Sequence, residues 1–348
     1  MSQSRRLMNA RRVDPILAAV RRYIGKGYRP VPVERQGKRV LVPNWPNLEI
    51  TKDEIAEYFE NPNQNVGVIL GSRSGWLVDI DLDCEESIDL ADSFLPKTHS
   101  VFGRRGAPAS HRLYVARGMP PKKFVDSSDG SMIVEIRSTG QQTVFPPSTH
   151  KSGEPIRWVS NGEPAVVEMD RLISATGRLA AATVLARHWD ETPSRDELSA
   201  TVIAVLRRTF GWDGEDIQDF LIPVLNNAGD EEAESRLRKI ERSVRDIDKD
   251  HLHFYGLPKL AELLGQSVVD QILSWIPSRV ETGPVVLRSA LEIATEEISP
   301  RYIHKPYLEE GVLAVLSGEY GTYKSFLALD WALHAAAGIL WPSSDHDD

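Results

Sequence analysis

The chain has 348 residues, a net charge of -9 and a single cysteine, Cys84. Its length suits two or three domains with real cores, and its charge argues against a protein that coats nucleic acid indiscriminately. One cysteine excludes a disulfide framework or a cysteine-based zinc site within the chain; with no apolar run of membrane-spanning length and no apolar core behind the basic start, a cytoplasmic protein without membrane contact is expected.

The charge is unevenly spread. Between Arg5 and Arg39 basic residues face only Asp14 and Glu34, an end that can meet phosphates or simply form a solvated helix surface. Asp14-Pro15 predicts a helix start, Ile16, Leu17, Val20 and Ile24 supply its apolar stripe, and Gly25 and Gly27 stop it. Residues 28–33 read as a proline-bearing edge strand, followed by a turn at Gln36-Gly37-Lys38. Thr51 with Glu54 predicts a capping box for a helix through Phe59. Residues 66–70 and 76–82 read as two apolar strands joined by a glycine-bounded loop suited to a hairpin. A helix over 87–94, a strand over 98–102 and a basic loop over 103–110 come next, then strands over 111–115, 132–137, 143–145 and 156–159. Short helices mixed with many strands predict an α+β fold with a mixed, largely antiparallel sheet.

Past Val166 the periodicity turns helical. Helices are expected over 179–189, from the Ser194/Glu197 capping box, over 213–226 and 230–247, and near Leu257 and Val268. Beyond Pro277 a linker, a short helix, a strand over 311–316, a glycine-bearing loop and a helix over 324–337 are expected. The domains so predicted are 1–167 (α+β), 168–280 (all-α) and 281–348, a linker with a truncated P-loop α/β element.

The chemistry concentrates on a few strand positions. In residues 76–83, Trp76, Val78, Ile80 and Leu82 alternate with Asp79, Asp81 and Asp83, so the carboxylates share one face. Such a face persists most easily around a divalent cation, or else runs out into a solvated acidic turn. Glu135 and Arg137 share a face by the same spacing, and His111 follows the Arg104-Arg105 loop. If these faces converge, the site has carboxylates for two divalent cations and His111, Arg104, Arg105 and Arg137 for a polyphosphate, the equipment of metal-assisted phosphoryl or nucleotidyl transfer. Taken singly, His111 reads equally as a core histidine and Glu135 with Arg137 as a surface pair. Near the end, Gly318-Glu319-Tyr320-Gly321-Thr322-Tyr323-Lys324-Ser325 lies between a strand and a helix. That is the context of a phosphate-binding loop, with Tyr323 in place of the usual glycine.

The order of Lys38 and Trp45 with Thr51, Asn65-Val66-Gly67-Val68, Val78-Asp79-Ile80-Asp81, His111-Arg112-Leu113-Tyr114, Val134-Glu135-Ile136-Arg137 and Phe145-Pro146-Pro147-Ser148-Thr149-His150 resembles the primase-polymerase domain of the archaeo-eukaryotic primase superfamily, found in phage and plasmid replication proteins. The resemblance covers roughly residues 28–160. It implies that Asp79, Asp81 and Glu135 hold catalytic Mg2+ or Mn2+, that His111 contacts the phosphates of the incoming nucleotide, and that Arg137 meets phosphate as well. Ala109 stands where the family usually has serine, with Ser110 adjacent, and Glu135 stands where aspartate is common. One cysteine excludes the family's usual zinc-binding insertion. The later loop resembles that of hexameric RecA-like helicases of the RepA type, which implies phosphate binding at Gly318, Gly321, Lys324 and Ser325. A working ATPase of that kind needs further strands, so a fragment without ATP turnover of its own is expected. The expected function is a DNA primase-polymerase acting on a DNA template and primer with dNTPs or NTPs, with ATP and oligomerisation belonging to the intact helicase domain. The alternatives are a non-catalytic replication-initiation or single-strand-binding module and a two-metal nuclease.

Overall fold

The computed structural model describes residues 14–61, 63–189, 194–248, 256–276, 302–304, 308–309 and 323–337. The chain divides into two compact units, Met1–Val280 and Glu281–Asp348. In the first, α1 (Pro15–Gly25) is capped as its sequence requires: Oδ1 of Asp14 accepts the Ile16 amide at 2.8 Å, and Ile16, Ala19, Val20 and Tyr23 form its buried stripe. The chain then enters a three-stranded antiparallel sheet in the order β1 (Arg29–Val33), β2 (Asn65–Ile69), β8 (Gln142–Phe145), with the proline-bearing β1 at an edge. The Thr51 amide and hydroxyl both donate to Glu54, but the helix they open, α2 (Ile55–Tyr58), is a single turn.

The larger sheet runs β6 (Lys122–Val125), β7 (Met132–Arg137), β3 (Leu77–Leu82), β5 (Ala107–Val115), β4 (Ser100–Arg104), β9 (Arg157–Asn161), all antiparallel, and β10 (Ala165–Val166) joins β5 in parallel. β3 lies between β5 and β7. Asp81 pairs with His111 on one side and Glu135 on the other, and Asp79 pairs with Leu113 and Arg137. Alternation then sorts the sheet into two faces. Val78, Ile80, Leu82, Tyr114, Val134 and Ile136 bury against the helices, starting with α3 (Glu85–Phe94) and α4 (Met169–His188). The acidic residues lie on the other face with Leu77, Phe102 and Leu113, which pack against Val66, Val68 and Phe145 of the small sheet and against α1. The functional side chains therefore sit in the seam between two sheets.

Four local expectations are corrected. β2 and β3 do not form a hairpin: after an isolated bridge between Gly71 and Leu77 they enter different sheets. The basic loop over 103–110 is mostly strand, because β4 and β5 turn tightly at Arg105 and Gly106. Gly103 permits the irregular pairing there, since a Cβ would fall 2.4 Å from the Ala107 carbonyl oxygen. β6 was not expected; its adjacent lysines hide an edge strand. Finally, α4 starts at Met169 rather than near Leu179. Gly177 interrupts its sequence pattern for a packing reason, since a Cβ would meet the Trp275 carbonyl oxygen at 2.2 Å.

The helical expectation holds beyond that point. α5 (Arg195–Phe210) carries its predicted cap, Ser194 Oγ on the Glu197 amide, and α6 (Gly214–Asn227) is capped by Asp213 Oδ1 on the Asp216 amide. They are followed by α7 (Ala233–Asp248), α8 (Leu257–Leu264) and α9 (Gln266–Trp275). Their buried residues, Leu179, Trp189, Leu206, Phe220, Ile240 and Ile272 among them, belong to the same core as the helix-covered face of the large sheet. In the second unit a short antiparallel pair, β11 (Tyr302–His304) and β12 (Leu308–Glu309), and α10 (Lys324–Ala337) are formed. The strand expected over 311–316 lies outside the described residues. Among the described residues no helix is long and apolar enough to cross a membrane.

Candidate active site

The seam brings the expected residues of the first unit together. His111 Nδ1 lies 3.0 Å from Asp79 Oδ2 and 3.3 Å from Asp81 Oδ1. Arg137 spans the neighbouring carboxylates, its Nη2 2.5 Å from Asp81 Oδ2 and its Nε 2.7 Å from Glu135 Oε2. Gln141 Nε2 donates to the other Glu135 oxygen at 3.3 Å, and the Thr143 hydroxyl, reaching across from β8, donates to Asp79 Oδ2 at 2.7 Å. Phe102 stacks on the His111 ring with centroids 4.5 Å apart and planes within 16°.

Burial and charge act in opposition throughout this cluster. Burial pushes the Asp79 carboxyl up, but His111, Arg137 and the Thr143 hydrogen bond outweigh it and hold the group below the ordinary carboxylate range. Burial likewise opposes a charge on His111, yet Asp81 and Asp79 raise its pKa above the usual imidazole value. The Arg137 guanidinium is buried too, and Asp81, Asp79 and Glu135 hold it charged.

The cluster opens into a cleft of about 790 Å3 whose lining carries both signs of charge, a size suited to a small-molecule ligand. Its lining joins the acidic Asp81, Asp83, Glu85 and Asp89 to the basic Lys38, Arg104, Arg105 and Lys151, together with His111, Arg137 and His150, and Lys38 lies near enough to act on Asp83. The basic charge is strong enough to be felt by a histidine: burial and the charges of Arg104, Lys151 and Lys38 hold His150 below the ordinary imidazole range. Glu154 organises the two arginines. It accepts the Gly106 amide at 3.0 Å and lies 3.3 Å from Arg104 Nε and 3.9 Å from Arg105 Nε. Asp79 and Glu135 sit behind the lining, each covered by the partners named above.

Among the described residues no group of three or more Asp, Glu, His or Cys side chains is arranged to hold a metal ion. The cause is the set of partners these carboxylates take, since Arg137 spans Asp81 and Glu135 while His111 spans Asp79 and Asp81. Two observations favour a divalent cation nonetheless. Asp79 Oδ1 is buried with no hydrogen-bond partner. Negative charge is also in excess: the Asp83 carboxyl is pushed up to about 6 by burial and by Asp81 beside it. Carboxylate oxygens are the donors that Mg2+ and Mn2+ take, so the donor set fits such an ion.

The Prim-Pol family, described as bifunctional DNA primase/polymerase, N-terminal, matches residues 20–170. Residues 20–170 are a Prim-Pol domain. An AAA domain family matches residues 277–347, nearly the extent of the second compact unit. No curated protein matches the chain. The Prim-Pol match spans the seam, both sheets and the start of α4, so the converging side chains all lie within it. Of the phosphate-loop residues in the AAA domain, Lys324 and Ser325 open α10, whereas Gly318 and Gly321 lie outside the described residues.

Sequence reasoning named Asp79, Asp81, His111, Glu135, Arg137, Arg104 and Arg105, and all of these lie in or directly behind one cleft. It placed Asp83 on the acidic face but gave no role to Thr143, Gln141, Glu154 or Lys151. Thr143 and Glu154 act across the fold on residues far away in sequence, which periodicity does not reveal. The Pro146-Pro147-Ser148-Thr149-His150 motif was the available signal, since Ser148 and Thr149 bond to Val66 and Asn65 and so set the segment that carries His150 and Lys151.

Proposed function

We propose that the Prim-Pol domain is a template-directed nucleotidyltransferase that adds nucleotides to a DNA primer, and starts primers, using Mg2+ or Mn2+. The observation that carries this reading is one cleft whose lining holds the carboxylates of Asp81 and Asp83 together with Lys38, Arg104, Arg105, His111 and Arg137. A nucleoside triphosphate with bound cation is a ligand of matching polarity, its phosphates suited to the basic residues and its cation to the acidic ones. Asp79, Asp81 and Glu135, with Asp83 beside them, would hold the metal. When bound, such a cation supplies Lewis acidity to the attacking 3′-hydroxyl and charge neutralisation to the leaving pyrophosphate.

The protein's own residues have three tasks in this scheme. His111 and Arg137 hold the α-phosphate end of the nucleotide close to the carboxylates. Arg104, Arg105, Lys38 and Lys151 hold the β- and γ-phosphates, keeping the leaving group in line with the attack. Glu154 keeps the arginine turn presented to the cleft. The helices over 168–280 serve as an accessory layer to the catalytic part over 1–167. Residues 281–348 belong to a helicase motor that takes ATP phosphates at Gly318, Gly321, Lys324 and Ser325.

The test is incubation of the chain with a primed template, Mn2+ or Mg2+ and dNTPs, resolving the labelled primer by length. Extension is expected. A shortened primer would make the carboxylates those of a nuclease, and an unchanged primer would make the fold a binding module.

A further inference from the structure

Thr143 stands apart from the other polar residues of the seam because it comes from the small sheet while its partner belongs to the large one. Its side chain is buried, and its hydroxyl donates to Asp79 Oδ2 at 2.7 Å. The same oxygen lies 3.0 Å from His111 Nδ1. An ionised carboxylate can only accept, so the His111 proton on that side resides on Nδ1 and the ring's other nitrogen, Nε2, is left for the cleft that His111 lines. Phe102, stacked on the imidazole, fixes the ring plane. A β-branched Thr143 in the middle of β8 reads as a strand former, yet its hydroxyl would be costly to bury without this acceptor.

We infer that Thr143 is a positioning residue for nucleotide binding: by donating to Asp79 it fixes the carboxylate that holds the His111 ring, and so sets where His111 meets a phosphate. The inference rests on the nucleotidyltransferase reading above. The chain of contacts runs from one sheet to the other, Thr143 to Asp79 to His111, so the packing of the small sheet determines the aim of a side chain on the large one. Thr143 borders the cleft, but it is buried and its hydroxyl is taken up by Asp79. Its effect passes through His111, and that dependence separates it from a residue that merely glues two sheets together.

The experiment is steady-state primer extension by the full chain, comparing wild type, Thr143→Val, Thr143→Ser, His111→Ala and the double variant Thr143→Val/His111→Ala. Valine keeps the shape and removes the hydroxyl; should it not fold, Thr143→Ala removes the same group with less bulk. The expected result is an apparent KM for dNTP raised about tenfold in Thr143→Val, the size of one lost hydrogen bond to a charged group, with kcat within about twofold. Thr143→Ser should restore the wild-type KM, and Thr143→Val should add nothing once His111 is gone. A wild-type KM in a folded Thr143→Val, or an equal loss in the His111→Ala background, would each overturn the inference. A wild-type chain that extends no primer would instead overturn the reading on which it rests.

Discussion

At the scale of single residues the site is a charge balance. Arg137 bonds to Asp81 and Glu135 at once, and removing one partner of such a buried cluster costs about 3–5 kcal/mol because the remaining charge is left uncompensated. Arg137→Ala should therefore melt well below wild type in chelator and recover part of the difference when Mn2+ is added, read by thermal shift. Equal melting of the two proteins in chelator would show that the carboxylates do not depend on Arg137. His111→Ala should keep its fold and need more nucleotide for the same rate. If it unfolds readily with nucleotide binding unchanged, His111 serves the core, as its stacking on Phe102 allows. The shared faces were legible in the sequence because period-two spacing sets a face, Asp79, Asp81 and Asp83 on one strand and Glu135 and Arg137 on another; their convergence comes from the strand pairing. The partners that tune these residues were not legible. Thr143 and Gln141 reach Asp79 and Glu135 through the fold rather than through spacing.

Elements are held in place by contacts that cross between layers. The turn after β6 carries Asp126, whose buried carboxylate accepts from Ser128 and pairs at 3.0 Å with Arg187 of α4, and Arg187 in turn reaches Glu86 of α3 at 3.0 Å. This clamp fastens both helices to the edge of the large sheet. Burial pushes Asp126 up, but the Ser128 hydrogen bonds with His188 and Arg187 hold it below the ordinary carboxylate range. A depressed carboxylate contributes stability above its unfolded pKa, near 3.9, and loses it as pH falls through the lower folded value. Asp126→Asn should then be less stable than wild type at pH 7 by about 3 kcal/mol, with the gap closing in acid below about pH 4. A constant gap across that range in denaturant titrations would contradict the clamp. Gly177→Ala should also destabilise, by roughly 1–3 kcal/mol from overpacking, because α4 and the end of α9 touch through backbone at that point. Helix caps and apolar alternation were readable in the sequence since they are local. The hairpin expected between β2 and β3 failed because both strands are apolar, and apolar pattern alone does not say which sheet a strand joins. The β4–β5 hairpin was hidden for the opposite reason, glycine and proline at Gly103, Gly106 and Pro108 reading as loop.

For the molecule as a whole, the sheet and the helices of the first unit share one core, which runs from Val78, Ile80 and Tyr114 to Trp189, Leu206 and Phe220. A chain cut near residue 170 would expose that face and should be insoluble, whereas one ending at Val280 keeps the first compact unit and should melt cooperatively. A soluble, cooperatively melting 1–170 fragment would show that the large sheet needs no helical cover. The shared core also places α3, which follows Asp81 and Asp83, between the cleft and the helical layer, so these acidic residues are braced from behind. The central claim is that the carboxylate face of β3 carries nucleotidyl transfer, and Asp81 is its member that pairs across to both His111 and Glu135 and lines the cleft. The most direct measurement is extension of a labelled primer by wild type and by Asp81→Asn at equal concentration, with the melting temperature of each recorded alongside. Wild type is expected to extend the primer, whereas an Asp81→Asn protein that still folds is expected to give none above background. Undiminished extension by that variant would contradict the claim.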